Sequence, residues 1–60
     1  LFYARGEDYN GNWYEFPSIS RTIEEVKKEC QELLETLDGG LFDIFVVIDG
    51  KDVYVDTVEW

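Results

Sequence analysis

The sequence predicts an α+β domain of order ββαββ, a four-stranded antiparallel sheet with one amphipathic helix packed on one face, spanning residues 1–60. Three observations carry this expectation. Asn10-Gly11 and Asp49-Gly50 are each flanked by β-forming residues, which reads as two hairpins. A single helical periodicity lies between them. One helix set between two hairpins folds most simply as a helix laid on a sheet.

Each element has its own grounds. Leu1 to Asp8 begins with β-formers, and Trp13-Tyr14-Glu15-Phe16 reads as the return strand after a type I′ turn at Asn10-Gly11. Pro17 cannot donate to a sheet ladder, so this strand is expected at an edge or to end there, which points to strand order 2-1-3-4. Thr22 and Glu25 form a capping-box pattern that opens the helix. Ile23, Val26, Cys30, Leu33, Leu34 and Leu37 fall in one stripe of roughly 100°. Gly39-Gly40 ends the helix, with Gly39 suited to the left-handed position after the cap. Leu41 to Ile48 and Lys51 to Trp60 form the second hairpin around Asp49-Gly50. A two-residue turn pairs Val46 with Val53, Ile44 with Val55 and Phe42 with Thr57, and with Ile48 these make the face that the helix covers. The opposite face then carries Leu41, Asp43, Phe45, Tyr54, Asp56, Val58 and Trp60, with Val47 among them. It is too apolar for an ordinary wetted face, so it is read as exposed or in contact with something else.

Composition excludes several classes. The chain has 60 residues with 14 Asp and Glu against 5 Lys and Arg, a formal charge of −9 and a pI near 4.1. That opposes direct nucleic-acid binding, which needs cations to neutralise phosphates, and docking on an anionic membrane. Apolar residues at 45% and aromatics at 17% are too many for a disordered acidic tail. No His and one Cys remove most catalytic constellations, zinc sites and an internal disulfide. With no long apolar run and no leader pattern, a cytoplasmic protein is the expectation. Leu1 stands without Met inside a strand pattern, which reads as a trimmed start.

The candidate chemical residues mostly have bland explanations. Cys30 lies mid-stripe among aliphatic and acidic neighbours, a setting that raises a thiol pKa, so it reads as core. Asp49, Gly50 and Asp52 lack the spacing and the distal Glu of a calcium loop, and turn chemistry accounts for them. No metal and no cofactor is expected, and nothing assembles a nucleophile, a base and an oxyanion site, so no enzyme is expected. Asp43 and Asp56 face each other in the two-residue register, where like charges repel. Either both point into water with a Lys or Arg of the first hairpin nearby, or a partner's Arg or Lys lands between them. Glu32, Glu35 and Asp38 occupy the last turns of the helix, where its dipole favours cations, so they serve solubility or recognition. Aromatic platforms on sheets also stack RNA bases, but Phe45 and Tyr54 are interleaved here with Asp43, Asp52 and Asp56, which repel phosphate.

Trp13-Tyr14-Glu15-Phe16-Pro17, followed by Thr22-x-x-Glu25 opening an amphipathic helix, resembles the N-terminal region of HicB-type antitoxins over roughly residues 3 to 48. It departs in its connector. The family carries a longer Pro-Gly-Cys-bearing segment, whereas four residues separate Pro17 from Thr22 here, and residues 49–60 do not read as a DNA-binding segment. The resemblance implies a non-enzymatic acidic protein that masks a small basic ribonuclease, often as an oligomer.

The functional expectation is therefore a non-catalytic acidic inhibitor or interaction protein that covers a basic protein surface, as antitoxins and phage-type nucleic-acid mimics do. Asp43, Phe45, Tyr54, Asp56, Trp60, Glu32 and Glu35 are the expected partner-binding residues. The alternative is a structural homo-oligomeric subunit paired through the aromatic face or the edge of the last strand. A homodimer is also expected alongside the masking role, the two being compatible if different surfaces serve them.

Overall fold

The computed structural model describes residues 1–18 and 22–60. Its elements are β1 (Phe2–Asp8), β2 (Trp13–Pro17), α1 (Ile23–Thr36), β3 (Gly40–Ile48) and β4 (Lys51–Glu59). The sheet order is β2-β1-β3-β4 with every neighbouring pair antiparallel, so the fold class and the edge position of the Pro17 strand are as the sequence implies. β2 and β3 consequently run the same way on either side of β1, and α1 is the crossover between them, as same-direction strands require. The connector whose length sets this chain apart from the HicB pattern lies largely outside the described residues.

The helix begins where the capping pattern places it. Thr22 is extended, and its Oγ1 accepts the Glu25 N–H at 3.3 Å while its hydroxyl donates to Glu25 Oε1 at 3.0 Å. Val26, Cys30 and Leu34 are fully buried, and Ile23, Leu33 and Leu37 pack around them. On the sheet they meet Ala4, Phe42 and Ile44, with Tyr14 and Phe16 closing the β2 side against Phe42. Burying a side chain such as Leu34 or Phe42 contributes about 1.5–3 kcal/mol. The Ser18 hydroxyl, itself buried, donates to Glu29 Oε1 at 2.9 Å and ties the end of β2 to the helix. The helix ends one residue earlier than expected. Asp38, not Gly39, takes the left-handed position at φ 60°, and Gly39 N–H returns to the Leu34 carbonyl at 2.8 Å. Asp tolerates that region locally, and Gly39 is still required, because it too has a positive φ of 107° and a Cβ there would lie 2.9 Å from the Trp60 carbonyl oxygen.

The first turn also differs from expectation. Tyr9-Asn10-Gly11 is a three-residue loop, a type I turn closed by Gly11 N–H to the Asp8 carbonyl at 3.2 Å, with Gly11 at φ 85°. The cause is Asp8. Its Oδ1 accepts the N–H groups of Asn10 at 2.9 Å and Asn12 at 3.0 Å, and its Oδ2 accepts Asn12 Nδ2 at 3.1 Å and Tyr14 Oη at 3.0 Å. The Asx geometry supplies a local alternative to the type I′ turn.

The second hairpin keeps its two-residue turn, with Asp49 and Gly50 both at positive φ, and keeps the pairing of Val46 with Val53. Beyond that it shifts. Phe45 pairs with Tyr54 but Ile44 pairs with Asp56, so Val55 is an extra residue in a β-bulge. Ile44–Val55 and Phe42–Thr57 therefore do not pair; Phe42 lies opposite Val58 and Asp43 opposite Thr57. Because side chains alternate, Asp56 and Val58 move to the helix face and Thr57 to the open face. The expected opposition of Asp43 and Asp56 does not exist. The helix also stops short of the hairpin tip, leaving Ile48 and Val53 exposed.

Candidate functional site: the uncovered sheet face

The helix covers one face of the sheet, and the register assembles the other from all four strands. One row runs Pro17, Tyr3, Phe45, Tyr54. The next runs Glu15, Arg5, Asp43, Thr57, and the third Trp13, Glu7, Leu41, Glu59. Val47 and Asp52 continue the face toward the hairpin tip.

The central row is a stack. The Tyr3 and Phe45 rings lie 5.2 Å apart at 17°, and Tyr54 meets Phe45 edge-on at 6.0 Å. The Arg5 guanidinium carbon sits 4.9 Å from the Phe45 ring centre, a cation–π contact. Arg5 thus occupies the middle of the face, between Glu15 on β2 and Asp43 on β3. Asp43 Oδ1 accepts the Thr57 hydroxyl at 2.7 Å, and Thr57 Oγ1 lies 2.6 Å from Tyr54 Oη. An ionised carboxylate only accepts, so Thr57 donates to Asp43 and Tyr54 donates to Thr57. The bulge creates this chain, since it brings Thr57 onto the open face. Burial, followed by the Asp52 carboxylate, pushes the Tyr3 phenol above its ordinary range.

Two shallow grooves open on the β1–β2 half. One, of about 500 Å³, is lined by Arg5, Trp13, Tyr14, Glu15 and Asp43. The other, of about 370 Å³, is lined by Tyr3, Glu15, Phe16, Pro17 and Asp52, with no cation among them. Among the described residues, Glu7, Glu15, Asp43, Asp52 and Glu59 set five carboxylates against Arg5 on this face, a surplus of four negative charges.

The expected partner-binding residues do not form one site. Asp43, Phe45 and Tyr54 share the open face. Asp56 lies on the helix side and pairs with Lys27 Nζ at 2.5 Å. That hydrogen-bonded pair holds the Asp56 carboxyl below its usual range and the Lys27 ammonium above its own. Trp60 is at the far end, where its backbone exchanges two 3.0 Å hydrogen bonds with Gly40 and its carbonyl accepts Tyr9 Oη at 2.7 Å. Its alternation with Asp56 and Val58 places it on the helix side. Glu32 and Glu35 are exposed on the helix, which packs against the opposite side of the sheet from Asp43. Arg5 is the first-hairpin cation that the sequence places near Asp43; of the other residues on this face, the sequence reading missed Trp13, Tyr3, Glu15 and Thr57. Trp13, Tyr3 and Glu15 follow from the odd-numbered alternation of the first hairpin once strand order is known.

Cys30 is buried, and burial followed by the Glu29 charge pushes its thiol up to about 11, which keeps it un-ionised at neutral pH. Among the described residues no group of three or more His, Cys, Asp and Glu is placed to hold a metal ion. No helix among them is long and apolar enough to cross a membrane. No family model, curated protein or solved structure matches the chain.

Proposed function

We propose that this chain is a non-catalytic acidic interaction protein that uses its uncovered sheet face to mask a basic surface on a protein partner, as antitoxins and nucleic-acid-mimicking nuclease inhibitors do. The observation that carries the reading is the face itself: a stacked aromatic row framed by five carboxylates against one arginine, with none of the described elements over it. The −9 charge steers a cationic partner toward the molecule. Trp13 and Tyr54, 71% and 56% exposed, are the aromatic anchors. Asp43 is held in place by Thr57 to meet a cation. The HicB-like pattern of Trp13–Pro17 and Thr22–Glu25, a ribonuclease as partner and a cytoplasmic setting belong to this same proposal.

A second reading, a structural homodimer, draws on a different surface. Ile48, Val53 and Val55 are exposed at the hairpin tip and the β4 edge. The open face disfavours that role, because two copies would bring like charges together.

The test is sedimentation equilibrium at low and high salt on wild type and Tyr54→Asp, alone and with a panel of small basic nucleases. The masking reading expects a monomer that binds a nuclease, with binding weakened by salt and by Tyr54→Asp. A dimer unaffected by Tyr54→Asp, with no nuclease bound at low salt, favours the structural subunit and rejects masking.

A further inference from the structure

The open face already holds one cation of its own, and the way it holds it points to what the partner supplies. Arg5 lays its guanidinium against Phe45 at 4.9 Å while flanked by Glu15 and Asp43. A planar cation on an aromatic ring beside carboxylates is a combination that suits guanidinium better than ammonium, because guanidinium is flat, weakly hydrated and can fork onto a carboxylate. The second groove repeats those ingredients. Tyr3 supplies the ring, Glu15 and Asp52 the carboxylates, and Pro17 an apolar wall. Tyr3 is itself stacked on Phe45, which fixes its ring. Among the described residues, none of those lining this groove is a cation.

Resting on the masking reading above, we propose that the partner docks an arginine side chain in the groove between Tyr3, Glu15, Pro17 and Asp52, beside and in the manner of Arg5. The charge surplus of the face selects a basic partner over a second copy of this chain and over nucleic acid. Glu15 lines both grooves, so it sits between the internal guanidinium and the incoming one and holds them side by side despite their like charge. Arginine is thereby the specific element of recognition, and the remaining carboxylates supply long-range attraction that lysine satisfies equally well.

The experiment is an NMR titration of the whole chain with capped hexa-arginine and hexa-lysine peptides of equal charge, at low salt, on wild type, Asp52→Asn and Glu35→Gln. The two variants lose the same charge, one in the groove and one on the outer surface of the helix. The expected result is tighter binding of hexa-arginine than hexa-lysine, with shifts centred on Tyr3, Glu15 and Asp52. Asp52→Asn should weaken hexa-arginine by roughly tenfold, the size of one charge-assisted hydrogen bond, while Glu35→Gln changes it little. Equal affinity for the two peptides with shifts on the open face overturns the arginine groove and leaves the masking reading standing. Shifts confined to Glu32 and Glu35, or no binding of either peptide, overturn both.

Discussion

Gly6 is the position where one added carbon should do most damage. It lies in β1 opposite both Tyr14 and Phe42, whose rings stand 6.4 Å apart across it. A Cβ at Gly6 would come within 1.8 Å of the Leu41 carbonyl oxygen and 2.8 Å of Phe42 Cα. Ordinary contact begins at 3.4 Å, so the backbones of β1 and β3 must part by about 1.6 Å, the difference of the two. Both are central strands, and neighbours on each side hold them. Separation on that scale carries the adjacent ladder hydrogen bonds beyond useful length. Two such bonds at about 1 kcal/mol each, added to an overpacking cost of about 1–3 kcal/mol, suggest a loss of roughly 3–5 kcal/mol for Gly6→Ala. A domain of this length has only about 3–9 kcal/mol in total. Urea unfolding followed by tryptophan fluorescence and far-ultraviolet circular dichroism measures the loss. Gly11→Ala and Gly50→Ala are the controls: nothing lies within 4 Å of either Cβ, and their cost is the positive φ alone, about 1 kcal/mol each. A Gly6→Ala protein less than about 1 kcal/mol below wild type would mean that β1 and β3 do not approach as closely as this structure has them.

Other consequences follow from the site and the core. The depressed carboxyls of Asp8 and Asp56 contribute stability that is present above the unfolded carboxylate range and lost as pH falls through their folded values, so the acid limb of a melting profile should flatten in Asp8→Asn and Asp56→Asn. Tyr14, raised by its hydrogen bond to Asp8, acts in the opposite direction: its contribution is complete below the unfolded phenol value and lost as pH rises through the folded one, and Tyr14→Phe should blunt that alkaline limb. Cys30 should resist iodoacetamide at neutral pH in the native protein and react once urea unfolds it; rapid native labelling, read by mass spectrometry, would contradict its burial. Deleting Val55 should leave a regular ladder with Tyr54 still opposite Phe45 and Asp56 opposite Ile44, at a cost of about 1–2 kcal/mol for the lost valine contacts. Loss of the Lys27–Asp56 proximity in that variant, seen by NMR, would show that the bulge does more than absorb one residue.

The bulge also explains why the fold was readable in the sequence and the site only partly so. Element type and order depend on signals spread over many residues: two Gly-containing turns, a helical stripe whose members Val26, Cys30 and Leu34 are all buried, and one proline at an edge. Faces depend on parity, and parity is reversed by a single residue. Up to Tyr54 the alternation read from the turn holds; after Val55 every side chain of β4 changes sides. The sequence does carry a trace of this. Val53 and Val55 are odd, whereas Val58 and Trp60 are even, with Asp56-Thr57 between them, and an apolar phase that switches mid-strand is the mark of an inserted residue. A continuous odd phase would have put Thr57 against Phe42 in the core and Val58 in water. The bulge instead gives Val58 to Phe42, and it exchanges a repulsive Asp43–Asp56 pair for two satisfied carboxylates, one on Thr57 and one on Lys27. The same residue that keeps the core apolar therefore decides which carboxylate faces a partner. That is why Asp43, and not Asp56, carries the acidic half of the proposed surface.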